Sequence, residues 1–189
     1  MLPLPVFYVD RIIETALSED IHYLDTTTDL MIPEDARSTA RFMAKAEGVV
    51  CGLEIALRVF ERLDTSFTSR ILVPEGSHVK PGDMIAELEG NTRFLLKGER
   101  TALNLLQHMS GVATATARAV KLVEGTRAAI TDTRKTLPGL RSLQKYAVTV
   151  GGGKNHRFNL SDGAMLKDNH IDAAGGIPQA VAAIRQKLG

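Results

Sequence analysis

A single cysteine, Cys51, among 189 residues excludes an internal disulfide and suits a reducing cytoplasm. It lies in an apolar run with no catalytic partner beside it, so it reads as a buried structural residue. No apolar run approaches the roughly 20 residues that a membrane-spanning helix needs. The start, Met1–Leu2–Pro3–Leu4–Pro5, lacks a basic segment followed by a long apolar one, and no secretory signal is expected. A dominant charge is lacking too. The 23 Lys+Arg and 22 Asp+Glu leave a formal charge of +1, which argues against a general nucleic-acid binder. There is no repeat of solenoid period and no low-complexity segment. Neither a Rossmann fingerprint, a P-loop nor a zinc spacing such as H-E-x-x-H occurs. What remains is an ordinary globular composition, 44% hydrophobic and 24% charged, long enough for one large domain or two small ones.

The apolar spacing then marks elements. Val9, Ile12, Ile13, Ala16 and Leu17 predict an amphipathic helix over about Val9–Ser18. Asp25–Thr26–Thr27–Thr28 reads as a hydrogen-bonding turn or helix cap. Alternation predicts a half-buried strand over Ser38–Ala46, and a short strand holds Val49, Val50 and Cys51. Ala56, Val59, Phe60 and Leu63 mark a helix. Ile71–Leu72–Val73 and Met84–Leu88 read as strands around Glu75–Gly76 and Lys80–Pro81–Gly82–Asp83. This stretch also resembles part of a biotinyl or lipoyl carrier, but Lys80 lacks the usual flanking context, so a structural β-module is the reading. A helix is expected over Leu95–Met109, and Ser110 is read as the cap of a second, reaching about Val123. From Arg127 the rhythm becomes strand then helix: strands at Ala128–Asp132 and Ala164–Lys167, helices at Leu140–Val150 and Pro178–Leu188. That alternation implies a parallel α/β layout.

Positive charge is concentrated in the same region. After the polar burst Thr131–Asp132–Thr133–Arg134–Lys135 come Arg141, Lys145, Lys154, Arg157 and Lys167, with His156 among them. From Arg134 to His170 only Asp162 and Asp168 oppose them. Cations at strand ends are what an anionic small molecule needs in an α/β protein. Arg134 offers a fork for a carboxylate or phosphate, and Lys135 a compact charge. Gly151–Gly152–Gly153 stops a helix and presents His156 beside Arg157. Lys167 is expected at the inner end of a strand, with Asp168–Asn169–His170 fixing the loop. No nucleophilic Ser or Cys stands out.

The runs T-D-T-R-K-T-L-P-G-L-R, K-Y-A-V, G-G-G-K-N-H-R and L-K-D-N-H resemble the quinolinate phosphoribosyltransferases, the decarboxylating nicotinate-nucleotide pyrophosphorylases of the NadC type. The resemblance extends upstream to Glu19–Asp20–Ile21, Asp25–Thr28, Glu99–Asn104 and Ser110–Thr114. It covers essentially the whole chain, in order. It implies an α/β fold: an N-terminal α+β domain over residues 1–110, then the first part of a parallel α/β barrel over 111–189. It also implies transfer of phosphoribosyl from phosphoribosyl pyrophosphate to quinolinate with decarboxylation, in cytoplasmic NAD biosynthesis. The implied substrate-binding residues are Arg100, Thr133, Arg134, Lys135, His156, Arg157 and Lys167, with Lys135 and Lys167 catalytic and no residue holding metal. Mg²⁺ is expected with phosphoribosyl pyrophosphate, on acidic ligands outside this chain. A homodimer is implied, with Arg100 reaching the neighbouring site. Leu24 stands where the family usually has Gly, which predicts strain or a rebuilt turn if that position needs a positive φ. Two strand–helix units cannot close a barrel of about 250 residues. A C-terminally truncated chain, inactive alone, is therefore expected. Two alternatives stay open: a ModD-type relative linked to molybdenum transport, and a non-catalytic fragment that only folds or associates.

Overall fold

The computed structural model describes residues 2–188, and the chain divides into two compact units, residues 1–155 and 156–189. The first unit contains, in order, α1 (Val6–Asp20), α2 (Thr26–Met31), β1 (Arg37–Met43), β2 (Gly48–Val49), α3 (Leu53–Leu63), β3 (Thr68–Ile71), β4 (His78–Val79), β5 (Met84–Asn91), α4 (Thr92–Leu122) and α5 (Arg141–Val150). The second contains α6 (Asp168–Ala174) and α7 (Ile177–Leu188), packed on each other.

Helix α4 is the spine of the first unit. Asn91 starts it, its Oδ1 accepting from Arg93 N at 2.9 Å. Leu95, Ala102, Leu105, Leu106, Met109 and Ala113 recur at helical spacing and are buried. Against α4 pack α1, α2, α3, α5 and strands β1, β2 and β5. The helix does not break at Ser110. The Ser110 hydroxyl accepts from Cys51 N at 3.0 Å and bonds the Cys51 carbonyl at 3.3 Å. It ties α4 to the segment after β2, so the expected cap is an interior tether. Four residues on, Thr114 Oγ1 takes Val49 N at 2.8 Å in the same way.

Two glycines permit close approach to α4. A Cβ at Gly98 would stand 2.9 Å from ring atoms of Phe60 on α3. One at Gly151, the residue ending α5, would collide with the backbone carbonyl of Ala113 and lie 2.7 Å from Thr116 Cβ.

The main sheet is antiparallel in the order β1-β5-β3, with β2 and β4 as a separate pair. Ala40 opposes Leu88 and Phe42 opposes Ala86 on the core face, while Arg41 opposes Glu87 outside. The alternation expected over Ser38–Ala46 is therefore present as far as Met43, where β1 ends; Ala44–Ala46 lie beyond the strand. Because β4 and β5 pair in different sheets, no hairpin presents Lys80 as a carrier would. Cys51 is fully buried; burial, and then the nearby Glu75 carboxylate, push its thiol well above the ordinary value. Glu75 itself receives Gly52 N at 2.6 Å and Leu53 N at 3.3 Å, an acidic cap on α3. The turn before α2 is built by Asp25, whose Oδ1 accepts from Thr28 N at 3.0 Å. No non-glycine residue among those described has a positive φ, so Leu24 carries no such strain.

Asp64 closes α3 with a carboxylate that accepts from Ser66 N at 2.8 Å, Ser66 Oγ at 2.7 Å and Asn91 N at 2.8 Å. Burial alone would raise its pKa. The donors from Asn91 and Ser66, aided by Arg37, outweigh that and hold it below its ordinary 3.8. A depressed carboxyl gives stability that is present above the unfolded value and is lost as pH falls through the lower folded one. Urea midpoints are therefore expected to fall below about pH 4, where the unfolded value of 3.8 lies. Asp64→Asn should make that acid limb shallower. An unaltered limb in the variant would place the acid loss on other carboxylates.

The two expected barrel strands are corrected. Residues 128–132 form one parallel bridge, Thr131 to Lys154, and Ala128 and Ala129 are exposed. Asp132 N donates to Lys154 O at 3.1 Å and Lys154 N to Ile130 O at 2.9 Å. Residues 164–167 have no regular structure. A parallel strand needs a neighbour for its backbone groups, and among the described residues no ladder flanks either segment beyond that bridge. Asp168–Asn169–His170 opens α6 rather than lying in a loop.

Candidate functional site

The bridge between Thr131 and Lys154 fixes the root of the turn that carries Thr133, Arg134 and Lys135. Lys135 N donates to Thr133 Oγ1 at 2.9 Å, which folds the turn on itself. The Lys135 side chain is exposed and Arg134 is half-buried. The Nε of Arg134 is buried and has no hydrogen-bond partner among the described residues. A buried donor left unmade is costly, so this guanidinium edge is the feature of the turn most in need of an acceptor.

Helix α5 supports the turn. Arg141 Nε donates to Thr136 Oγ1 at 3.0 Å and Arg141 Nη2 to the Arg134 carbonyl at 3.4 Å. Gln144 Oε1 accepts from Leu137 N at 3.0 Å, and its Nε2 lies 3.0 Å from His108 Nε2 on α4. Lys145, expected among the ligand-facing cations, is instead buried and paired with Asp132 at 2.5 Å. The anion it balances stands just upstream of the cationic stretch. Asp132, Gln144 and His108 carry this scaffold, and sequence reasoning missed all three. The one available signal was an acid directly before T-R-K.

Arg100 projects from α4 and is exposed. His156, Arg157 and Lys167 belong to the second unit. There His156 is exposed, and Arg157 Nη1 donates to Gly163 O at 2.8 Å, closing the loop between them. Lys167 is exposed and precedes α6 as its N-cap. It is not at the end of a strand. Its N–H is held by His170 Nδ1 at 3.1 Å, the local fixing role expected of that histidine. No group of three His, Cys, Asp or Glu among the described residues could hold a metal ion. No helix among them is long and apolar enough to cross a membrane.

The mixed α/β architecture thus carries a turn of Thr133, Arg134 and Lys135 in which the Arg134 Nε is buried without a partner among the described residues. The comparisons with known proteins give its family. Residues 25–110 match the N-terminal domain, and residues 112–189 the C-terminal domain, of quinolinate phosphoribosyl transferase. The chain is 46% identical over 176 residues to the nicotinate-nucleotide pyrophosphorylase (carboxylating) of Mycobacterium leprae, covering 92% of this chain and 62% of that protein. It is 41% identical to the mitochondrial quinolinate phosphoribosyltransferase (decarboxylating) 2 of Nicotiana glauca, covering 97% and 52%. Among solved structures, NadC from Streptococcus pyogenes superposes with a TM-score of 0.93 at 42% identity, covering 98% of this chain and 66% of that one. The nicotinate-nucleotide pyrophosphorylase of Ehrlichia chaffeensis gives 0.91 at 35%, covering 99% and 67%. The chain belongs to the quinolinate phosphoribosyltransferase family, and it spans about three fifths of the length of the Mycobacterium relative.

Proposed function

We propose that this chain supplies the dicarboxylate-binding part of a quinolinate phosphoribosyltransferase. That enzyme makes nicotinate mononucleotide, CO₂ and pyrophosphate from quinolinate and phosphoribosyl pyrophosphate. The observation that carries the reading is the buried, unpartnered Nε of Arg134 at the head of the turn. Quinolinate carries two ring carboxylates, and Arg134 offers a planar fork to one of them. Lys135 adds a point charge beside it, and Thr133 a hydroxyl. In this reading His156, Arg157 and Lys167 also bind substrate, and Lys135 and Lys167 stabilise charge as it moves. The pyridine nitrogen attacks the anomeric carbon as the bond to pyrophosphate breaks; the 2-carboxylate then leaves as CO₂, and the electron pair left on C2 takes up a proton from solvent. The nitrogen needs no strong base. The protein's work is to align two anions that repel each other and to meet charge where it develops. Mg²⁺ accompanies phosphoribosyl pyrophosphate in the reaction proposed. The described residues offer it no cluster of three His, Cys, Asp or Glu ligands. The proposed setting is the cytoplasm, and the 189-residue chain alone is proposed to be inactive.

The active unit in this reading is a homodimer in which the exposed Arg100 completes the partner's site. A two-fold axis would make each subunit serve the other. The test uses the chain continued to the full length of its relatives. Quinolinate and phosphoribosyl pyrophosphate should give nicotinate mononucleotide and CO₂. Arg100→Ala and Lys135→Ala should each be inactive. Co-refolded in equal amounts, half the dimers are mixed, with both lesions in one site and none in the other. Activity should return to roughly a quarter of wild type. Absence of product from the unaltered protein would sink the reaction. Absence of recovery in confirmed mixed dimers would sink the shared site.

A further inference from the structure

Helix α5 places two basic residues of the cationic stretch, Arg141 and Lys145, one turn apart. Both are committed to holding the turn that precedes them. Arg141 reaches the Arg134 carbonyl and the Thr136 hydroxyl. Lys145 meets Asp132 Oδ1, with side chains only 1% and 6% exposed. The other carboxylate oxygen is taken as well. The Asn155 amide, in the orientation that satisfies its groups, donates to Asp132 Oδ2 at 2.6 Å and to the Lys145 carbonyl at 2.9 Å. Asp132 N is fixed to the Lys154 carbonyl at 3.1 Å. The carboxylate is thus gripped at both oxygens and its backbone is anchored, two residues before Arg134.

A buried ion pair of this kind is weak evidence for stability, since apolar residues of similar volume often serve as well. Its location suggests another use. A guanidinium that binds a carboxylate must hold its geometry to within a fraction of an ångström, and that precision comes from the groups behind it. Arg134 is reached by no side-chain partner at Nε, so its direction depends on the backbone it leaves from.

We infer that Asp132, clamped by Lys145 and Asn155, is a positioning residue that presets the Arg134–Lys135 turn for its anion. It touches no substrate. The inference rests on the proposed reading of Arg134 as a carboxylate fork.

The test is the double variant Asp132→Asn/Lys145→Met in the 189-residue chain, which removes both charges and leaves none buried alone. Its circular dichroism and melting report whether the fold is kept. Two readouts follow. Without ligand, amide exchange at Lys135, whose N–H is held by Thr133, and the ¹⁵N shift of Arg134 Nε report on the turn. With ligand, quinolinate titration reports affinity. In a folded double variant, Lys135 exchange should quicken roughly tenfold and quinolinate affinity should fall roughly tenfold. A folded variant with unchanged exchange and an unchanged Nε shift would overturn the inference, because a purely structural pair would give that result. Should the double variant not fold, Asn155→Ser, which keeps the ion pair and releases Oδ2, makes the same comparison with a smaller loss. Unchanged exchange there also overturns it. If the unaltered chain takes up no quinolinate, the proposed function fails, and exchange alone still decides whether Asp132 sets the turn.

Discussion

Arg134→Ala, in the chain continued to the length of its relatives, is expected to lower kcat/KM for quinolinate by about two to four decades. The size follows from what is removed. The Arg134 Nε is shielded from water and has no partner within the described residues. In the proposed complex a substrate carboxylate fills that position, and the pair is desolvated and charge-assisted. Deleting one side of such a pair costs about 3–5 kcal/mol, because the remaining charge is left without a counterpart. Arg134→Lys should recover only part of the loss, since an ammonium cannot give two parallel bonds. Steady-state kinetics with a folding control decide the matter. Near-normal turnover in a folded Arg134→Ala would exclude the arginine from substrate binding.

Gly151→Ala is expected to destabilise the first unit by roughly 2–3 kcal/mol, the upper part of the usual cost of overpacking. The added methyl meets the Ala113 carbonyl and Thr116 on α4. A flexible side chain could turn aside, but a carbonyl inside a helix cannot. Helix α5 must then lift from α4, and the turn held by Arg141 and Lys145 lifts with it. Denaturant midpoints measure the first effect. A variant as stable as the parent would show that the α4–α5 contact yields easily.

The helices and the antiparallel sheet were legible because each writes its burial into a short stretch. Val9 to Leu17 and the alternation from Ser38 to Met43 needed only local spacing. The segments 128–132 and 164–167 were misread for a different reason. A parallel strand is defined by partners far away in sequence, and apolar residues alone do not provide them. Ser110 looked like a cap because serine favours that place, yet the segment after β2 claimed its hydroxyl. In the site, Thr133, Arg134 and Lys135 stood out by residue type and order. Lys145 was misassigned because counting charge along the chain cannot see that Asp132 neutralises it in space. His108 and Gln144 left no pattern at all; their meeting depends on how α4 and α5 pack.

Helix α4 has a consequence for how the protein can be divided. The two family domains meet between residues 110 and 112, in the interior of a 31-residue helix. At 1.5 Å per residue that is a rod about 46 Å long. A cut at the seam would strand up to four carbonyls on one side and four N–H groups on the other. It would also part the Ser110 and Thr114 tethers, which hold Cys51 and the β2 residue Val49 from either side of the seam. The seam is therefore a poor place for a hinge, a protease or a genetic crossover. The two halves match separate family domains, yet a single helix, Thr92–Leu122, is the backbone of both.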